Sequence, residues 1–197
     1  MKIMLRISFL LSLLLMLGGC ASNQNQAPGR HFSLSYMASQ NRAEQAQYSY
    51  LKVDMPNFSS KHNTEAIVYS SKTHQLDRYA HSEWKEPLPT LLQEWLLQSM
   101  ERSNLFTGVM RGTSRAKVSM FLESDIIRFQ HNLKQQSVEV SLRLTLLDYN
   151  SRKIIRHKIF NYQHAVSIPS AEGAVDSFNQ ILKKLDHDLF FWLSASS

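Results

Sequence analysis

A chain of 197 residues with one cysteine, six glycines and a formal net charge of +6 suits a single domain with its own core. A lone thiol excludes an internal disulfide framework. The 22 Lys and Arg exceed the 16 Asp and Glu by a modest, scattered margin, which argues against nucleic-acid binding, where basic residues cluster on one face or helix.

In chain order, Lys2 and Arg6 precede an apolar run over residues 7–17 that only Ser8 and Ser12 interrupt. The run falls short of the about 20 apolar residues needed to cross a bilayer and has the length of a secretory signal core. Gly18 and Gly19 follow, then Cys20. Leu17-Gly18-Gly19-Cys20 resembles the lipobox of bacterial lipoproteins. That resemblance implies cleavage between Gly19 and Cys20, a diacylglyceryl group on the Cys20 thiol, and acylation of the new amino terminus. Several chains anchor far better than one, because each buried methylene contributes about 0.8 kcal/mol. Ala21 and Ser22 stand where an inner-membrane lipoprotein carries aspartate, so the implied destination is the periplasmic face of the outer membrane. The alternative is a plain signal peptide with an incidental or buried cysteine; Cys20 lies outside any core pattern. Removing residues 1–19 leaves 178 residues and a net charge of +4.

Residues 20–30 read as the lipidated cysteine and a polar tether containing Pro28 and Gly29. The ten residues after Cys20 reach about 33–36 Å at most. Residues 31–197 then form one domain.

Residues 31–36 alternate Phe32, Leu34 and Tyr36 and predict a short strand; residues 48–55 predict another. Residues 65–70 and 74–80 predict a hairpin around Ser71 and Lys72. Residues 116–130 place Val118, Met120 and Leu122 on one side, with a bulge near Ser124 and Asp125 where the alternation slips. The clearest strand covers residues 137–149. There Val138, Val140, Leu142, Leu144 and Leu146 share one face, opposite Glu139, Ser141, Arg143 and Thr145, the pattern of a sheet with one buried and one wet side. After a turn at Asn150 and Ser151, residues 152–162 complete a meander.

Two helices are predicted. Leu88, Leu91, Leu92, Trp95, Leu96 and Met100 form one stripe, with Pro87 and Pro89 in a first turn that tolerates them. Ala174, Val175, Phe178, Ile181, Leu182, Leu185, Leu189 and Trp192 form the second, over about 170–193. Gly173 lies near its start, where it costs up to about 1 kcal/mol relative to alanine. The expected fold is α+β: a two-layer domain with an antiparallel sheet and both amphipathic helices on one face.

The chemistry-bearing residues do not assemble into a site. The sequence contains no GxSxG, HExxH, CxxC or phosphate-binding glycine loop. His157 and His164 fall on opposite faces of a strand. Asp186-His187-Asp188 point in different directions on a helix. Glu123 and Asp125 have no partner base. The chain reads as non-catalytic, without cofactor or metal; a deep pocket holding a strongly perturbed acid or histidine would revive a hydrolase. The last helical turn carries Phe190, Phe191 and Trp192, more apolar surface than one stripe buries. It can pack under the sheet edge, or serve for docking or lipid contact.

Residues 81–92 carry the most information. Val68-Tyr69, then a hairpin, then Trp84-Lys85-Glu86-Pro87-Leu88 opening a long helix resemble the ABC-type transport auxiliary lipoprotein family, including the paraquat-inducible intermembrane transport lipoproteins. The likeness spans residues 31–193. It departs at Gln40–Gln47, which lengthens the first connection, and at Glu83, where many relatives carry arginine. Glu86 would meet the positive end of the helix dipole, Pro87 would fix the chain's approach angle, and Trp84 would staple the helix start or contact a partner. The resemblance implies a non-catalytic outer-membrane adaptor, membrane-bound through its lipid, serving an MCE-type periplasmic lipid transport protein and compatible with a homo-oligomeric ring. The competing reading is an assembly or pilot lipoprotein that escorts an outer-membrane complex. In-cell cross-linking to an MCE-type protein, or to a β-barrel or secretin, separates the two.

Overall fold

The computed structural model describes residues 29–35, 41–58, 64–72 and 75–195. Gly19, Cys20, the leader and most of the tether lie outside the described residues. The elements run β1 (Arg30–Phe32), β2 (Leu51–Val53), β3 (Asn57–Phe58), β4 (Ala66–Lys72), β5 (Gln75–Trp84), α1 (Leu88–Ser103), β6 (Val109–Arg111), β7 (Met120–Asn132), β8 (Ser137–Asp148), β9 (Lys153–Ala165) and α2 (Ala171–Ser194).

The α+β class and the β7–β8–β9 meander stand as expected; the purely antiparallel sheet does not. Two short strands and part of β4 line one edge of β7 in parallel, at successive levels. Leu51 of β2 pairs Met120, Asn57 of β3 pairs Asp125, and Tyr69 of β4 pairs His131. β1 is parallel to β5, and β6 to β2; β5 is antiparallel to β4. The sheet is therefore mixed. Strands of two or three residues carry no period-two signal, so their pairing sense comes from the long-range fit to β7.

The bulge also sits later than expected. Ile126 pairs Leu142 and Arg128 pairs Ser141, leaving Ile127 as the extra residue. Before it, Met120, Leu122, Ser124 and Ile126 are buried; after it, Phe129 and His131 are. A small polar residue on the inward face, Ser124, imitates a slip in a pattern that continues unbroken through it. The hairpin between β4 and β5 forms, and Ser71 and Lys72 belong to β4 itself, with Lys72 pairing Gln75.

Helix α1 buries Leu88, Leu91, Leu92, Trp95, Leu96 and Met100. Pro87 occupies the N-cap rather than the first turn (φ −51°, ψ 136°), and Pro89 lies within that turn. Asn104 ends the helix in the left-handed conformation (φ 54°), as asparagine tolerates at this position. Helix α2 is capped by Ser170, whose hydroxyl accepts from the Gly173 N–H at 3.1 Å. Gly173 is more than a tolerated weak point: a Cβ there would lie 2.2 Å from the Ile168 carbonyl oxygen. The helices meet where the Ser99 hydroxyl donates to buried Asp186. The Gln93 side chain of α1 donates to the Val53 carbonyl of β2 at 3.1 Å.

The two helices and the sheet share one core. Phe129 of β7 stacks on Phe178 of α2 at 4.2 Å, and Trp84, ending β5, approaches each at 6.1 Å. Phe178 is buried and Phe191 is 52 % exposed, so Phe178→Ala should cost about 3–5 kcal/mol and Phe191→Ala no more than about 0.5 kcal/mol. Equilibrium urea unfolding of both variants checks this; similar midpoints for the two would remove the cluster from the core.

Candidate functional site

The residues of the sequence motif converge on the junction of β5 and α1. Trp84 is 1 % exposed, its N–H donates to the Glu65 carbonyl at 2.6 Å, and its ring faces Phe129 and Phe178 rather than the start of α1 alone. Lys85 N–H donates to Phe32 O at 2.7 Å, joining β1 to this junction. Glu86 is exposed, one residue before the cap. Pro87 O accepts from Thr90 N at 2.9 Å and Leu91 N at 3.2 Å, and Leu88 is buried.

Tyr69 belongs to a different cluster, reached only through the fold. Its ring lies 4.9 Å from Tyr79, and the Tyr79 hydroxyl is 2.7 Å from His131 Nδ1. His131 is fully buried, and its Nε2 has no hydrogen-bond partner among the described residues. Burial holds this imidazole below its usual pKa. Burial, aided by Tyr69, raises the Tyr79 phenol. No pattern within β5 or β7 marks this pair, since the two residues are 52 positions apart.

The last turn of α2 divides its aromatics. Leu189 and Leu193 are fully buried. Phe190 and Trp192 are half-buried and packed against the core, Trp192 edge-on to Phe160 at 5.5 Å. Phe191 points outward. Of the three consecutive polar residues of α2, Asp186 turns inward to Ser99, whereas exposed His187 lies 3.3 Å from Asp188, which also accepts from the Tyr162 hydroxyl at 2.7 Å. Burial and that bond raise the Tyr162 phenol. His157 bonds Thr145 at 2.9 Å, on the face opposite His164, which pairs Val138. Asp125 accepts from Arg143 at 3.0 Å and from Asn57 at 3.2 Å.

Among the described residues, two clefts are large enough to admit a small ligand. One, of about 410 Å³, lies beside the motif and is lined by Ser33, Lys85, Glu86, Glu94, Trp95 and Arg111, among others. Its charges balance, and Arg111 already pairs with Glu94 and donates to Gln93 at 3.2 Å. The other, of about 500 Å³, borders β4 and β7. There Glu139 is occupied by Gln130, Asn132 and Arg128 at 3.2, 2.9 and 3.5 Å. The groups with displaced pKa values (Asp54, Tyr79, His131 and Tyr162) line neither cleft. Neither cleft pairs a nucleophile with an activated base.

A sequence model of the ABC-type transport auxiliary lipoprotein components matches residues 32–189. The chain belongs to that family. No functionally curated protein matches it. Among solved structures, protein XCC0632 from Xanthomonas campestris is similar at 18 % identity over 83 % of this chain and 94 % of its own, with a TM-score of 0.74. An uncharacterized protein is similar at 16 % identity over 85 % and 99 %, with a TM-score of 0.68. At these identities the two structures speak for the fold alone. For this auxiliary lipoprotein component, the family assigns a transport role and the fold supplies no catalytic constellation among the described residues.

Buried His131 couples the fold to pH. The folded protein resists protonating it, whereas the unfolded chain takes up a proton near pH 6.5. Stability is therefore complete above that pH and falls as pH drops toward the lowered folded-state value, by at most about 1.4 kcal/mol per pH unit. Urea unfolding between pH 7 and pH 5 should show this slope. His131→Gln, which retains a hydrogen-bonding group for Tyr79, should flatten it; an unchanged slope assigns the effect to other groups.

Proposed function

We propose that this auxiliary lipoprotein component is held by lipidated Cys20 at the periplasmic face of the outer membrane and acts there as a non-catalytic adaptor of an ABC transport system with an MCE-type periplasmic lipid carrier. The observation that carries the proposal is the family match over residues 32–189 downstream of Leu17-Gly18-Gly19-Cys20. Ala21, in place of aspartate, supports the outer membrane. The buried junction at Trp84 and the charge-balanced cleft beside it, where Arg111 pairs with Glu94, support a body that works through protein surface. Within this proposal both helices cover one side of the sheet, and several copies can gather around the carrier.

Adaptor action requires that body and membrane be connected. Cys20→Ala should release the protein into the soluble periplasmic fraction and abolish lipid transport while the urea midpoint of the domain stays unchanged. Fractionation, transport assays in cells and unfolding of the purified domain read the three effects. Full transport by the released form would remove anchoring from the mechanism.

A further inference from the structure

The outward face of the meander is mixed along most of its length, with Ile127 and Ile159 exposed among polar residues, and turns continuously apolar at one end. On β8 the outward positions run Glu139, Ser141, Arg143 and Thr145, then Leu147, with Tyr149 just past the strand. Register places Leu147 between Phe121 of β7 and Ile154 of β9, a continuous apolar row across three strands. Tyr149 packs on Phe121 at 5.4 Å, yet Tyr149 and Ile154 remain 67 % and 66 % exposed. Leu76 and Ile168 are exposed too, at the β4–β5 hairpin and beside the cap of α2.

Charge is segregated at the same end. Between Asp148 and Glu172 the chain carries Arg152, Lys153, Arg156 and Lys158 and no carboxylate; between Glu101 and Glu123 it carries four cations and none. The two stretches join where Tyr149 N–H donates to Ser119 O at 2.7 Å. Asp148, next to Tyr149 in the chain, is turned into the β8–β9 turn, accepting from Asn150 and Ser151 N–H groups at 2.9 and 3.3 Å. Lys52 sits over the Phe121 ring at 5.5 Å. Arg152 and Lys153 at the β8–β9 turn and Lys52 beside Phe121 thus border the apolar row, with exposed Glu123 the one carboxylate placed two residues from Phe121 on the same face.

This end lies far from the tether. The chain joins the body beside the start of α2: Arg30 pairs with Glu172 at 3.5 Å, and Ser35 N–H donates to Asn179 at 2.9 Å. The opposite end of α2 is marked by Arg156 donating to the Ala195 carbonyl. The 24 residues of α2 separate the two ends by about 36 Å.

We propose that the row of Phe121, Leu147 and Ile154 with Tyr149, bordered by Arg152 and Lys153, is the docking surface for an acidic, apolar-faced segment of a periplasmic protein partner. An apolar patch rimmed mainly by cations selects a partner of the opposite sign. A second copy related by a two-fold axis would bring the same basic rim against it. An anionic bilayer has matching charge, but the anchoring membrane is met first at the tether end. The surface rests on the adaptor proposal, whose carrier is its intended occupant.

In-cell photo-cross-linking with the full lipidated protein tests it. A photoreactive phenylalanine is placed at position 149 or 154, and at 76 or 168 for comparison. Positions 149 and 154 should form an adduct with an MCE-type protein through an acidic peptide identified by mass spectrometry. The double variant Arg152→Glu, Lys153→Glu should lower its yield about tenfold or more without releasing the protein from membranes. An identified acidic peptide of another periplasmic protein at 149 would support the surface and refute the carrier. Capture of the MCE-type protein only at 76 or 168 would refute the surface and leave the adaptor proposal standing. Adducts of position 149 with phospholipid or with a second copy, or no adduct at 149 and 154, would overturn the surface.

Discussion

The fold depends on the contact among Phe129, Phe178 and Trp84. It joins β7, which pairs with β2, β3, β4 and β8, to α2, and joins both to the end of β5 where the chain turns into α1. Aromatic pairs at such separations contribute beyond their buried area, and here they fix three elements that no short loop connects. β7 can then carry the meander on one edge and two short parallel strands with part of β4 on the other. The Ile127 bulge keeps its inward face in register with this cluster: the buried set passes from Ile126 to Phe129 and His131 without turning the aromatic ring outward.

That geometry explains what the sequence disclosed. β8 and α2 are long, and each buries one face, so their periods of two and 3.6 were readable residue by residue. β2 was legible as a strand within residues 48–55 but not its parallel pairing, and β3 and β6 were not legible at all, because two or three residues cannot display a period and their pairing answers to β7 and β2. Ser124 disguised a continuous inward face, and Ile127, apolar but outward, hid the real bulge. Gly173 looked like a weak point in a helix, though the Ile168 carbonyl leaves no room for a side chain there.

The candidate sites divide along the same line. Trp84, Pro87 and Leu88 are adjacent in sequence, so their shared place at a helix start was legible, while the burial of Trp84 required α2. Tyr69, Tyr79 and His131 come from three strands and meet only in the folded sheet. The apolar row at the end of the meander was half visible, since Leu147 and Tyr149 continue the outward alternation of β8. Its neighbours Phe121 and Ile154 are supplied by register, and the basic rim by a turn and by Lys52 of β2, distant in sequence. The body therefore has two unlike ends: one where the chain arrives from its proposed anchor, and one where apolar and basic surface is left uncovered.

The functional account stands on the thiol of Cys20, because an adaptor between a membrane and a soluble carrier works only while it is held to the membrane. Mass spectrometry of the protein isolated from its own cells reads that residue directly. The account predicts an amino-terminal peptide beginning at residue 20 and carrying a diacylglyceryl group on sulfur and a fatty acyl group on nitrogen. A peptide with Cys20 unmodified, with the leader still attached or cleaved at another bond, would contradict it.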